Sequence, residues 1–321
     1  PRPPPRAVEA SPASAEIRFR AMGTEAHVIA VGYPDRLDEI LRRAAVRVEE
    51  LEQKWSRFRP TSELSRLNAA AGRPVIVSAE TFEAVARAVH AWYVTGGRFD
   101  PTVHRALVEA GYDRTFRELP LDASSREHDP AAVPGCGDIG LSRSAHAVTL
   151  PPGVSLDLGG IGKGYAADLV VRDILEWGAT GASVSLGGDV RVRGESAFGP
   201  TWFVVVESPF EPGVELDRLM LADGAVVTST RLMRTWKRNG AEQHHIIDPS
   251  SGTPAWTGVA AVTVVASEAS WAEVMAKAAF LAGLEEGLAL LRTAGLTGFI
   301  IEDSARVHRV AGLEVFSSCM Q

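Results

Sequence analysis

The chain has 321 residues, of which 45% are hydrophobic and 23% charged, and a formal net charge of −7. That size and balance predict a soluble globular enzyme with a substantial core. The acidic balance argues against a nucleic-acid partner, which needs clustered cations. No apolar run approaches a membrane span, and two cysteines, Cys136 and Cys319, make neither a zinc site nor a disulfide framework.

Residues 1–15 are rich in Pro, Ala and Ser without apolar periodicity, and predict a disordered leader or linker ahead of a single domain over 16–321. The chain begins with proline, which reads as a processed or truncated form. A cytoplasmic location and attachment outside the cytoplasm through a removed N-terminal segment therefore both stay open. Ile17 to Val31 alternates as one or two strands interrupted by Ala21-Met22-Gly23-Thr24. Asp35 can cap a helix running to Trp55, with Ile40, Leu41, Ala44, Ala45, Val48 and Leu51 on one face. Pro60 closes that helix, and Thr61 or Ser62 caps the next turn.

Between them Arg57-Phe58-Arg59 offers an aromatic flanked by arginines, either a stacking platform for a planar ring or an ordinary capped connection. Ser78 caps a further helix with Phe82, Val85, Ala86, Val89 and Tyr93 on its buried stripe, ended by Gly96-Gly97. Arg98-Phe99-Asp100-Pro101 follows, with Pro101 placed to start another helix and Asp100 to cap it. From Asp113 to Gly137 the chain is polar and unpatterned and predicts a long surface loop.

The centre of the sequence is Leu156-Asp157-Leu158-Gly159-Gly160-Ile161-Gly162-Lys163-Gly164-Tyr165. Val154 to Leu158 reads as a short buried strand, and a helix starts near Tyr165 and stops at Gly178. Strand, glycine turn, lysine and helix start predict an anion site suited to a diphosphate, through free N–H groups, helix dipole and a full charge. A tight turn that needs glycine for packing alone is the plainer alternative. The Walker pattern fails, because Asp157 replaces its first glycine and Gly164 follows the lysine. Gly162-x-Gly164-x-x-Ala167 matches the relaxed dinucleotide fingerprint, but no acidic residue ends a strand at the required distance.

Beyond it, Gly187-Gly188-Asp189 ends a strand, and residues around 202–207, 225–230, 244–247 and 260–266 add β material. His244, His245 and Asp248 cluster where a strand meets a turn. Ser267 to Gly283 is helical, with Glu273 and Lys277 one turn apart, either a surface ion pair or a charged pair at a ligand's phosphates.

Taken in order, Met22-Gly23-Thr24, Ser56-x-Phe58-x-Pro60-x-Ser62-Glu63, Gly97-x-Phe99-Asp100-Pro101-Thr102, the Asp157–Ala166 run, Gly187-Gly188-Asp189, Thr228-Ser229 and His245-Ile-Ile-Asp248-Pro249 resemble the FAD:protein FMN transferases, the ApbE-type flavin transferases. The resemblance implies an α+β fold of mixed or antiparallel sheets flanked by helices, with FAD in a cleft between two intimate lobes. It implies FAD as substrate, magnesium, and an acceptor protein whose Thr or Ser takes FMN through a phosphoester as AMP leaves. By position, Met22, Phe58, Arg98, Phe99, Asp100, Asp157, Gly160, Lys163, Gly187, Gly188, Asp189, Thr228 and Ile247 would bind FAD. His245 or Asp248 would be the base, with His245 favoured for an ordinary pKa near working pH. Lys163 and Lys277 would carry positive charge. The metal would take Gly160 and Glu273. The family usually has Asp and Thr where this chain has Glu273 and Lys277, and an ammonium cannot ligate a metal; the metal's role is therefore in question. A flavin carrier or FAD pyrophosphatase is the alternative, and a dinucleotide-dependent oxidoreductase ranks third.

Overall fold

A computed structural model describes residues 13–70, 72–120, 122–123 and 130–317. Most of the leader and Cys319 thus lie outside the described residues, as does part of the 113–137 loop. Ala13 to Ala15, read as leader, already belong to the first strand.

Eight strands form one sheet: β1 (Ala13–Ala21), β2 (Thr24–Gly32), β3 (Gly181–Leu186), β4 (Asp189–Gly194), β5 (Asp223–Thr230), β6 (Val259–Ala266), β7 (Thr297–Glu302) and β8 (Val307–Arg309). They lie side by side in chain order, and every neighbouring pair is antiparallel. This excludes a doubly wound nucleotide fold, whose strands run parallel. The glycine pattern at 162–167 is therefore no dinucleotide fingerprint. β1 and β2 join through Met22 and Gly23, both at positive φ (52° and 69°), as a tight hairpin turn requires.

Helices α1 (Pro34–Trp55), α2 (Glu63–Asn68), α3 (Ala79–Val94), α4 (His104–Glu109) and α5 (Gly162–Glu176) are all inserted between β2 and β3, and α6 (Ala269–Thr293) between β6 and β7. Pro34 opens α1, Tyr33 holds the cap position without a side-chain bond, and Asp35, expected there, sits two positions further on in the first turn. Ser62 and Ser78 cap α2 and α3 as expected. Tyr93, however, is exposed rather than on the buried stripe of α3. α6 is broken at Gly283 by a non-helical φ of 77°.

α1, α5 and α6 cover one face of the sheet and bury the main core. A two-stranded hairpin, Trp202–Glu207 with Glu215–Leu221, covers the other face through Trp202, Val204, Val206, Leu219 and Leu221. A small third core gathers Leu107 and Ala110 with Tyr112, Trp236 and Ile247. The functional site lies between it and the main core.

Candidate active site

The cavity between those cores has a volume of about 360 Å³. Met22, Trp55, Phe99 and Leu158 line it from the main body, and Leu107, Tyr112 and Ile247 from the small core. Gly159, Gly160 and Gly162 form its base together with Lys163 and Lys277.

The lead-in to this base is not a strand. The backbone of Leu156 is held by the Asn68 amide, which donates to the Leu156 carbonyl (2.9 Å) and accepts from its N–H (2.8 Å). The Asp157 N–H donates to the Pro101 carbonyl (2.8 Å). A side chain and a loop thus satisfy the groups that a neighbouring strand would otherwise pair.

Two of the glycines after it, Gly160 and Gly164, are needed for space. None of the four has a positive φ. A Cβ on Gly160 would come within 2.8 Å of the Phe99 ring, and one on Gly164 within 2.4 Å of the Ala269 carbonyl at the start of α6. Nor does the turn offer a row of free amides. The Gly162 N–H donates to the Leu158 carbonyl (2.7 Å), and the Gly164 N–H to Glu273 Oε2 (2.9 Å). The anion at the head of α5 is thus a side chain of the protein itself. Positive potential at the cavity comes from the two lysines instead.

Those lysines belong to a buried quartet. Lys163 on α5 pairs with Asp189 at the start of β4 and with Glu273 Oε1 (2.8 Å). Lys277, one turn beyond Glu273, reaches the same Oε1 (3.2 Å). Burial opposes every charge here, and the partners outweigh it at Lys163 and Glu273 but not at Lys277 and Asp189. Asp189 and Glu273 outweigh burial at Lys163 and raise its pKa, while the two lysines pull Glu273 down to about 2. Burial, reinforced by Lys163, lowers the pKa of Lys277, and burial raises that of Asp189. The Glu273–Lys277 pair is therefore not a surface salt bridge: the Glu273 side chain is wholly inaccessible.

Part of the cavity lining is an aromatic wall. Arg57 is no surface residue, since its side chain is only 6% exposed. Its Nε forms an ion pair with Asp157 Oδ2 (2.6 Å), and its guanidinium stacks 4.1 Å from the Phe58 ring centre and 4.5 Å from that of Tyr112. Phe58 is therefore half-buried and already stacked on its own neighbour. Arg57 Nη2 and His245 Nδ1 are the only buried side-chain polar atoms among the described residues that lack a hydrogen-bond partner, and both residues line the cavity. Arg57, Tyr112 and Arg234 escape a reading by motif, because each is recruited by packing across distant segments.

The histidine pair divides its labour. His244 is fully buried, its Nε2 bonded to the Ala255 carbonyl (2.9 Å) while its Nδ1 accepts from the Ile246 N–H (3.3 Å). This fixes a neutral tautomer and a structural role. His245 faces the cavity, and burial, with help from Arg234 and Lys277, lowers its pKa well below the ordinary value. It is a neutral imidazole at working pH, for a different reason than an unperturbed pKa.

Of the other expected residues, Met22, Phe58, Arg98, Phe99, Asp100, Asp157, Gly160 and Ile247 line the cavity. Asp100 also accepts from the Thr102 N–H (2.7 Å) and from Trp92 Nε1 (2.9 Å), and burial raises its pKa. Gly187 and Gly188, at φ 67° and 90°, make the β3–β4 turn away from the lining. Thr228 shares a hydrogen bond with Thr263 across β5 and β6 (2.9 Å). Asp248 lies outside the lining and closes a turn, accepting from the Ser250 N–H (2.9 Å) and hydroxyl (2.7 Å).

The expected metal site does not fit these residues. Glu273 already accepts from two ammoniums and a backbone N–H. The stem of Lys277 runs past Gly160, its Cδ 3.4 Å from where a Cβ there would stand. Among the described residues no three His, Cys, Asp or Glu side chains converge to hold a metal. Magnesium demands several oxygen ligands.

An antiparallel α+β fold with a lysine-bearing cavity between two cores sets this protein apart from the parallel-sheet dinucleotide folds. The sequence profile of the ApbE family matches residues 22–300, and the chain belongs to that family. It is 32% identical over 287 residues to the FAD:protein FMN transferase of Treponema pallidum (strain Nichols), covering 83% of this chain and 78% of that one. It is 26% identical over 245 residues to the enzyme of the same name from Vibrio cholerae, covering 76% and 73%. Among solved structures, the ApbE protein of Thermotoga maritima superposes with a TM-score of 0.85 at 28% identity, over 95% of this chain and 99% of that one. No helix among the described residues is long and apolar enough to cross a membrane.

Proposed function

We propose that this protein is an FAD:protein FMN transferase: it splits FAD and joins FMN through a phosphoester to a Thr or Ser hydroxyl of an acceptor protein, releasing AMP. The observation that carries this reading is the pairing of two ammoniums, Lys163 and Lys277, with a neutral, half-buried His245 around one cavity that aromatic rings also line.

In the step itself the acceptor oxygen attacks the phosphorus of the FMN half. The bond from that phosphorus to the bridging oxygen breaks with its electron pair on AMP, and the hydroxyl proton passes to the His245 imidazole. Lys163 and Lys277 stand against the non-bridging oxygens, where charge must be stabilised as the bond changes. Phe58, with Arg57 stacked on it, and Tyr112 provide flat faces for a ring system. Met22, Arg98, Phe99, Asp100, Asp157 and Ile247 complete the walls.

Mass spectrometry of an acceptor incubated with FAD tests the reading: the acceptor gains one FMN group less water. Free FMN with an unmodified acceptor would make the protein a pyrophosphatase instead, and unchanged FAD a carrier. His245→Ala is expected to lower turnover by roughly 10²–10⁴-fold, the range for loss of a general base, with FAD binding retained. Wild-type turnover in that variant would remove His245 from the step.

A further inference from the structure

We infer that Lys277 does in this chain the electrostatic work of a divalent cation, so that FAD is bound and split without metal; the inference rests on the transferase reading above. Lys277 is held in place from three sides. Its ammonium shares Glu273 Oε1 with Lys163 (3.2 and 2.8 Å), its stem packs over Gly160, and α6 fixes it one turn beyond Glu273. Both lysines line the cavity.

The charge count shows why a metal is excluded. Lys163 and Lys277 balance Asp189 and Glu273, so the quartet is neutral as it stands. A doubly charged ion brought to Glu273 would meet two ammoniums already seated on that carboxylate. It would find no second acidic ligand free, because Asp189 is taken by Lys163. A diphosphate in the cavity, by contrast, meets the ammonium side of this neutral quartet, because Lys163 and Lys277 line the cavity while Asp189 and Glu273 are not part of its lining, and that geometry needs no reorganisation. Lys277 neither gains nor loses a proton in the step.

Replacing Lys277 with threonine leaves the cluster with one excess negative charge and puts a hydroxyl oxygen one helical turn from Glu273, the beginnings of a site for a hard cation. The chain's own side chain and a metal ion are thus alternatives for one place.

The test uses full-length protein dialysed against EDTA. FAD binding is read by flavin fluorescence with and without magnesium, Mn2+ binding by electron paramagnetic resonance, and FAD cleavage by AMP release in the presence of an acceptor protein whose Thr or Ser takes the FMN. Wild type is expected to bind FAD with an affinity unchanged to within about twofold by magnesium, to release AMP in EDTA, and to give no bound-Mn2+ signal. Lys277→Thr is expected to lose roughly 10²–10³-fold in metal-free cleavage, the cost of one preorganised charge. It is also expected to gain a bound-Mn2+ signal. Wild type that binds Mn2+ and holds or cleaves FAD only with metal overturns the proposal, and needs no variant to do so. A Lys277→Thr protein as active without metal as wild type overturns it too. FAD unbound under every condition brings down the transferase reading itself, a result distinct from FAD bound only with magnesium.

Discussion

The base of the cavity and its aromatic wall solve opposite problems. At the base every charged group has found a partner: Lys163 bridges Asp189 and Glu273, Lys277 joins Glu273, and the Gly164 N–H completes that carboxylate. The sides are unfinished, since Arg57 Nη2 and His245 Nδ1 are buried with nothing to bond. An unpaired buried polar atom costs about 1–3 kcal/mol, so folding alone gives no reason to keep two of them. The contrast teaches that the base is preorganised for charge, whereas the walls hold donors and acceptors that only a ligand completes.

Lys163→Met breaks the contrast most severely, because it strands Asp189 and leaves Glu273 to Lys277 and the Gly164 N–H alone. Removing one member of a buried ion cluster costs about 3–5 kcal/mol, so a large fall in the urea midpoint is expected together with loss of FAD binding. A variant of wild-type stability would mean that the carboxylates are not held by this lysine. Arg57→Met acts on the wall and also leaves the Asp157 carboxylate without its cation. It removes a charge-assisted donor of about 1.5–3 kcal/mol and should weaken FAD about 10- to 100-fold, while AMP release at saturating FAD stays near wild type. Unchanged affinity would make Arg57 a packing residue for Phe58 and Tyr112.

A third effect, spread over the acid range, is read at the two neighbouring histidines. Burial, opposed by its bond to Ala255, lowers the pKa of His244 from 6.5 to about 4 in the folded protein. The unfolded chain therefore takes a proton that the folded chain refuses between those values. Stability is full above pH 6.5 and is lost as pH falls toward 4, by up to about 3 kcal/mol. His245, lowered in the same direction, adds to the loss. Melting temperatures measured from pH 7 to pH 4.5 should fall, and His244→Gln should flatten that slope; a flat wild-type curve would contradict the buried neutral tautomer.

Much of this was legible in the chain because it is local. Apolar spacing marks α1, α3, α5 and α6, serine marks the starts of α2 and α3, and Met22-Gly23 marks the first hairpin. The ordered motifs point to the family and to Lys163, His245 and most of the lining. The Val154–Leu158 segment misleads because its apolar residues face the core while Asn68, far away in sequence, supplies the bonds of a missing strand. The hairpin strand Glu215–Leu221 goes unread because only Leu219, Leu221 and the intervening alternation face the second core.

What the sequence determined by itself is the family, the helices and the residue types present, since these depend on short-range spacing and chain order. Which charges meet is another matter. Lys163, Asp189, Glu273 and Lys277 come from one helix, one strand and a second helix, and only packing of α5 against α6 over the sheet joins them. The same packing sets their protonation, buries Arg57 and turns the glycine run from a phosphate cradle into a close helix contact. Desolvation and Coulomb interaction act through space, so the tertiary structure alone decided them.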